Sequence, residues 1–203
     1  NMESKERHLI KQYLILFIFF LFISGCAQKI STVDYIYPDW KTRLDQQTQW
    51  QVQGKMAFIS TKQRQSANLN WQHDERNSDM VLTSFIGTRI LSLQQNPQGA
   101  VLEYDGDTYT DQNASRLLYR LTGFSIPLDN AAKWLKGTAQ NEQASFDEQG
   151  RLKTLLWQAE NGQQWHITYA NYRKQDGYWL PEKLTLKNQH IRIKIQLNDW
   201  QLH

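Results

Sequence analysis

The sequence predicts a mainly β domain: roughly ten or eleven antiparallel strands in one strongly curled sheet, with a short helical insertion over the concave face. Three observations predict it. Apolar residues recur at every second position through most of the chain from Val52 onward, the pattern of strands with one buried face. The strand-like runs are separated by clusters of Asn, Asp, Gly and Pro. The period-two pattern breaks once, in mid-chain, where helical spacing replaces it.

The elements are taken in order. Lys5, Arg7 and Lys11 make a positive start, followed by an apolar run from Tyr13 to Ile23 and then Ser24-Gly25-Cys26. A run of about a dozen apolar residues is short for a membrane span, which needs about 20, and suits the central region of a signal peptide. Ile23-Ser24-Gly25-Cys26 fits the bacterial lipobox, in which the cysteine is acylated and becomes the new N-terminus. One acyl chain of myristoyl size holds a protein to a bilayer only marginally, whereas two or more hold it stably. The expected division is a signal peptide over 1–25, a lipidated N-terminus and tether over 26–39, and one β domain over 40–203. Ala27, where sorted lipoproteins of the inner membrane would have Asp, points by resemblance to the outer membrane.

Trp40, Leu44 and Gln47 predict a short lead-in helix within Trp40–Trp50. Val52, Met56 and Phe58 then alternate with Gln53, Lys55 and Ala57, and Ala67, Leu69 and Trp71 with polar neighbours. Met80 and Leu82, Ile90 to Leu93, and Val101 to Tyr104 continue the series. Turns are expected at 74–79, at Asn96-Pro97-Gln98-Gly99 and at Asp105-Gly106-Asp107. Asn113 or Ser115 can cap a helix whose apolar stripe is Leu117, Leu118 and Leu121 and whose stop is Gly123. A second short helix follows Pro127, with Leu128, Ala131, Trp134 and Leu135 on one side and Gly137 at its end. Strands resume at Leu152–Ala159 and Gln163–Tyr172 around Asn161-Gly162, a strong hairpin signal. The last pair is Lys183–Lys187 and Ile191–Trp200.

Composition narrows the function. Hydrophobic residues make up 40% of the chain, enough for a core, and a formal charge of +3 is spread without the dense basic patch that nucleic-acid binding needs. Cys26 is the only cysteine, so cysteine catalysis, thiolate metal sites and disulfides are not expected in the mature domain. No nucleophile elbow, zinc-protease motif, phosphate loop or dinucleotide fingerprint occurs. His73, His166, His190 and His203 are isolated, and Asp105-Gly-Asp107 lacks the later ligands of a calcium loop. No catalytic residue, resident cofactor or metal is therefore expected.

What remains is apolar surface. A wide concave face covered by two short helices leaves room for a lidded cavity, and large apolar cavities accept acyl chains. Alternation assigns its lining to Val52, Met56, Phe58, Leu69, Trp71, Met80, Leu82, Trp134, Trp165 and Ile167. A one-residue change of register would turn a whole strand's set to the other face. Phe85-Ile86-Gly87 sits between two predicted strands, where polar turn residues are usual, and suggests contact with a partner or membrane.

Several stretches together resemble the LolB family of outer-membrane lipoprotein receptors. They are Trp50-Gln-Val-Gln-Gly54-Lys-Met-Ala-Phe-Ile-Ser60, Ala67-Asn-Leu-Asn-Trp71, Phe85-Ile-Gly87, Leu121-Thr-Gly-Phe-Ser-Ile-Pro-Leu128, Trp134-Leu-Lys-Gly137, Trp165 with Tyr169, and the ending Ile191–Trp200. The resemblance implies an open β-barrel with a helical lid and a hydrophobic interior. It implies a receptor, not an enzyme, that accepts client lipoproteins from the soluble periplasmic carrier LolA without ATP and inserts them among outer-membrane phospholipids. It also implies S-diacylglycerol and N-acyl groups on Cys26, a lipid-anchored position on the periplasmic face of the outer membrane, and action as a monomer. The family's exposed leucine in a Pro-Leu-Gly loop is tied to membrane insertion; the corresponding triplet is Phe85-Ile86-Gly87, with Ile86 as the apolar tip. Two readings compete with the receptor: a structural lipoprotein scaffolding an envelope assembly, and a lipid-active hydrolase, for which no paired nucleophile and base is visible.

Overall fold

The computed structural model describes residues 35–203 except 124–125 and 160–161. The signal segment, Cys26 and Asn161 lie outside the described residues. A short helix α1 (Trp40–Asp45) precedes β1 (Gln49–Ser60), β2 (Arg64–Asp74), β3 (Asn77–Thr83), β4 (Arg89–Asn96), β5 (Gly99–Tyr104) and β6 (Asp107–Asp111). Helix α2 (Ala114–Thr122), a 3-10 turn (Leu128–Asn130) and helix α3 (Ala131–Lys136) follow. The chain then completes β7 (Ala144–Phe146), β8 (Leu152–Gln158), β9 (Gln164–Gln175), β10 (Tyr178–Lys187) and β11 (Ile191–Leu202).

All eleven strands form one antiparallel sheet in the order β6-β5-β4-β3-β2-β1-β11-β10-β9-β8-β7. It consists of two meanders, β1–β6 and β7–β11, joined edge to edge where β1 pairs with β11 from Trp50↔Leu202 to Ser60↔Ile191. The outermost strands, β6 and β7, do not pair, so the barrel is open, and the helical segment runs from one edge to the other. The mainly β, open-barrel expectation with a helical lid holds.

Tight turns set the register. Asp105 and Gly106 (φ 53° and 83°) and Asp176 and Gly177 (φ 52° and 87°) both place two successive residues at positive φ, the hairpin geometry that matches right-handed strand twist. The turn expected over 74–79 is shorter than predicted: Glu75 and Arg76 alone join β2 to β3, and Asp79 pairs with Gln72 inside the sheet. At the join, β1 and β11 slip register between Gln53 and Gly54. A Cβ on Gly54 would overlap the Gln196 carbonyl oxygen, so only glycine permits this approach, and the slip adds local twist.

The concave face is the core. Trp50, Val52, Leu69, Trp71, Leu102, Leu155, Trp165, Ile167, Leu184, Ile193, Ile195 and Leu197 are all buried there. Trp50 packs between Trp71 and Trp200, with ring centroids 6.1 and 5.8 Å away. Residues 35–39, read from the sequence as the end of the tether, lie against the domain: the Tyr37 amide donates to Gly177 O at 2.9 Å, and its ring packs on Tyr178.

An apolar cleft under a helical lid

Asn113 caps α2, its side chain accepting from the Arg116 amide at 3.0 Å, and Gly123 (φ 73°) ends it. Of the two caps weighed from the sequence, Asn113 is the one used. Leu117 and Leu118 are buried, whereas Leu121 is partly exposed. Asp111 at the end of β6 holds α2 through ion pairs to Arg116 and to Arg120 (3.0 Å). The hydrogen bond from Arg116 is the main cause that keeps its carboxyl below the usual carboxylate range. Gln95 accepts from the Ala114 amide at 2.8 Å, and Ser115 accepts from Leu128 N at 3.2 Å, tying the lid to β4 and to its own second half.

Helix α3 carries the contact that spans the sheet. Trp134 is 1% exposed, and its ring meets Trp71 of β2 edge-on at 6.1 Å. Its Nε1 donates to Pro127 O at 2.8 Å, and its carbonyl accepts from Tyr169 Oη of β9 at 2.7 Å. One residue of the lid thus touches both meanders. The Lys136 ammonium donates to the carbonyls of Leu44 (2.9 Å), Asp45 (3.2 Å) and Gln47 (2.9 Å). Lys136 thereby pins the lid to the end of α1, and its burial pulls its pKa down to about 8.

Between β2–β4 and the lid lies a cleft of about 450 Å³ whose walls include Trp50, Trp71, Met80, Leu93, Leu128 and Ala131. This is the size range of a site for one small ligand. His73 stands at its edge, its ring stacked on Trp50 at 5.4 Å. Burial, then the nearby Lys136 charge, lowers the His73 pKa, which favours the neutral ring.

The structure divides the residues assigned from alternation. Trp71 and Met80 form the cleft wall. Val52, Leu69, Trp165 and Ile167 share the concave face, and Trp134 meets it from the lid, but all five are packed into the core. Met56, Phe58 and Leu82 are partly buried against that core. Trp50, Leu93 and Ala131 also line the cleft; extending the Val52 alternation back by two residues finds Trp50.

The Phe85-Ile86-Gly87 loop is built to present its apolar residues. Ser84 N donates to Thr88 O at 2.7 Å, Gly87 N to Ser84 O at 3.0 Å, and Thr88 N to Ser84 Oγ at 3.1 Å. Asn68 Nδ2 fastens the loop to β2 through Ser84 O at 3.0 Å. With its backbone closed on itself, the loop leaves Phe85 93% and Ile86 75% exposed.

An open antiparallel barrel with its apolar concave face under a helical lid defines a class of β proteins built around a coverable apolar interior. Comparisons narrow the class. The family model described as "Outer membrane lipoprotein LolB" matches residues 48–200, and the chain belongs to the LolB family. It is 56% identical to the outer-membrane lipoprotein LolB of Pseudoalteromonas translucida over the full length of both chains. It is 36% identical to that of Shewanella loihica, with 88% of this chain and 82% of the relative covered. Among solved structures, a putative outer-membrane lipoprotein-sorting protein domain from Vibrio parahaemolyticus shares the fold with a TM-score of 0.52 at 10% identity, over 80% of this chain and 89% of the other.

Proposed function

We propose that the protein is the receptor of its family: it takes the acyl chains of a lipoprotein under the lid and passes them to the outer membrane. The observation that carries this reading is the apolar concave face beneath helices held by a small number of side-chain contacts, in a chain that belongs to the LolB family. Its work is transport, and no bond is made or broken. Each CH₂ withdrawn from water contributes about 0.8 kcal/mol, so an acyl chain crosses an aqueous gap only if it is sheltered throughout. A cleft of about 450 Å³ does not hold several chains side by side, so loading requires the lid to swing away from Trp71. Transfer then needs only graded affinity, tenfold for each 1.4 kcal/mol or so.

In this reading the donor is the periplasmic carrier LolA, and the acceptor is the phospholipid of the outer membrane. Acyl groups on Cys26 hold the protein at the periplasmic face, and Phe85-Ile86-Gly87 enters the bilayer. Val52, Met56, Phe58, Leu69, Trp71, Met80, Leu82, Trp134, Trp165 and Ile167 contact the chains once the lid is open.

The test loads a lipoprotein on its soluble carrier, adds this protein as a soluble domain that lacks Cys26 and everything before it, without ATP, and follows the lipoprotein by gel filtration. Movement of the lipoprotein to this protein is the expected result. Retention on the carrier, with the receptor folded by circular dichroism, removes the receptor reading and leaves the scaffold alternative.

A further inference from the structure

The convex face of the sheet carries a charge pattern that the cleft does not use. Around the β1–β11 join, Lys55, Arg64, Lys183, Lys187, Arg192 and Lys194 all point outward and are exposed. The register makes them neighbours. Lys187 lies directly opposite Arg192, and Ile59 lies between Arg192 on one side and Arg64 on the other. Lys55 and Lys183 both face Gln196, from opposite sides.

None of the six makes an ion pair among the described residues. The nearest carboxylate in sequence, Glu182, is taken by Arg173 at 2.8 Å. Like charges directly opposite on a ladder destabilise a sheet, so the bare protein bears a cost that an anionic surface would relieve. The same face holds a groove of about 490 Å³ whose largely apolar lining includes Ala57, Ala67 and Ala170, with Lys55, Lys183 and Lys194 among its polar residues and Phe85 at one side.

We propose that this face is a docking surface for anionic phospholipid headgroups. The phosphates would lie over Lys55, Lys183 and Lys194 while Phe85 and Ile86 enter the acyl region beside them. The proposal deepens the reading of the loop as a membrane-entry element and rests on it. A lipid surface is chosen over an acidic protein because the cations adjoin two exposed apolar side chains on a closed loop. Cations bordering projecting apolar residues fit the boundary between headgroups and acyl chains. Each lysine near an anionic leaflet contributes about 1 kcal/mol, or roughly fivefold, so three together shift docking by roughly a hundredfold. Salt weakens that attraction as the screening length shortens.

The test uses the full-length lipidated chain with Ile86→Cys, labelled at that cysteine with an environment-sensitive fluorophore and reconstituted in vesicles. Vesicles of phosphatidylethanolamine and phosphatidylcholine are compared with vesicles containing phosphatidylglycerol. The expected result is a blue shift that grows with phosphatidylglycerol, falls in high salt, and is lost at low anionic content when Lys55, Lys183 and Lys194 are all changed to Gln. A blue shift of equal size in both vesicle types, unchanged in the triple variant, overturns the headgroup proposal and leaves the loop reading standing. No blue shift in any vesicle sinks the loop reading itself, and the proposal with it. A triple variant that docks normally on vesicles but takes lipoprotein slowly from the carrier assigns the face to an acidic protein partner and overturns the lipid assignment. Circular dichroism of the triple variant checks that the outward substitutions leave the sheet intact.

Discussion

Replacing Trp134 with Ala tests the lid most directly. The side chain is 1% exposed, its ring packs against Trp71, and its Nε1 bonds Pro127 O. Truncating a buried Trp to Ala costs about 3–5 kcal/mol. Trp134→Phe keeps most of the ring but leaves the Pro127 carbonyl without its donor, a loss of about 1–3 kcal/mol. The Tyr169 bond is to the Trp134 backbone carbonyl, so neither variant removes it. Urea unfolding should therefore show the midpoint falling in the order wild type, Phe, Ala, with the slope unchanged. A domain of this size holds about 5–15 kcal/mol in all, so the Ala variant is best measured in the cold. Lid opening breaks the same contacts. If opening precedes loading, apparent affinity scales with the open fraction, and a fluorescent acyl probe should associate at least about tenfold faster with the Ala variant, equivalent to about 1.4 kcal/mol. A stability loss below about 1 kcal/mol would show that Trp134 does not hold the lid. An unchanged association rate in a folded variant would show that opening does not limit loading.

Three further outcomes follow from the geometry. Gly54→Ala places a methyl against the Gln196 carbonyl and should destabilise the fold by about 1–3 kcal/mol, read as a lower thermal midpoint; an unchanged midpoint refutes the close-approach account of the β1–β11 slip. Lys136 titrates near pH 8 in the folded protein and at its ordinary 10.5 when unfolded, so between these values the unfolded chain binds more protons and stability rises with pH. That contribution is lost as pH falls through about 8, and wild type measured against Lys136→Met from pH 7.5 to about 9.5 should show the difference. Ile86→Glu puts a charge on a side chain that is 75% exposed; transfer from the carrier should persist while delivery into vesicles falls, and unchanged delivery counts against the loop's role.

Alternation alone fixed the inward faces of the long strands, because residues such as Val52, Leu69, Ile193 and Ile195 have polar or small neighbours that leave one face to bury. It failed where local chemistry broke the rhythm. The first half of β10 shows no clean alternation, because Pro181 sits inside it, opposite Tyr172, with a bulge following. Proline cannot donate to a ladder and is confined to edges and bulges. The Asp176-Gly177 dipeptide that opens this hairpin was the available signal. Strand β7, only three residues long, is too short for a period to emerge. The loop tip was legible because Phe85 and Ile86 violate the usual polarity of turns. The split of the concave face into open cleft and packed core was not legible, since it depends on where α3 lands and not on which way each strand side chain points.

The pairing of β1 with β11 has a consequence for how the chain is made. Trp50 finds its partner at Leu202, so the seam joining the two meanders links nearly opposite ends of the folded chain. Contacts of such separation require the loop-closure entropy to be met before they return anything. In the first meander β1 pairs with β2 at once, but its other edge has no partner until the last residues emerge. Until then that edge of β1 is an open row of backbone donors and acceptors, the kind of edge at which chains mispair. Loss of β11, twelve residues long, would leave two half-sheets with no hydrogen-bonded seam between them.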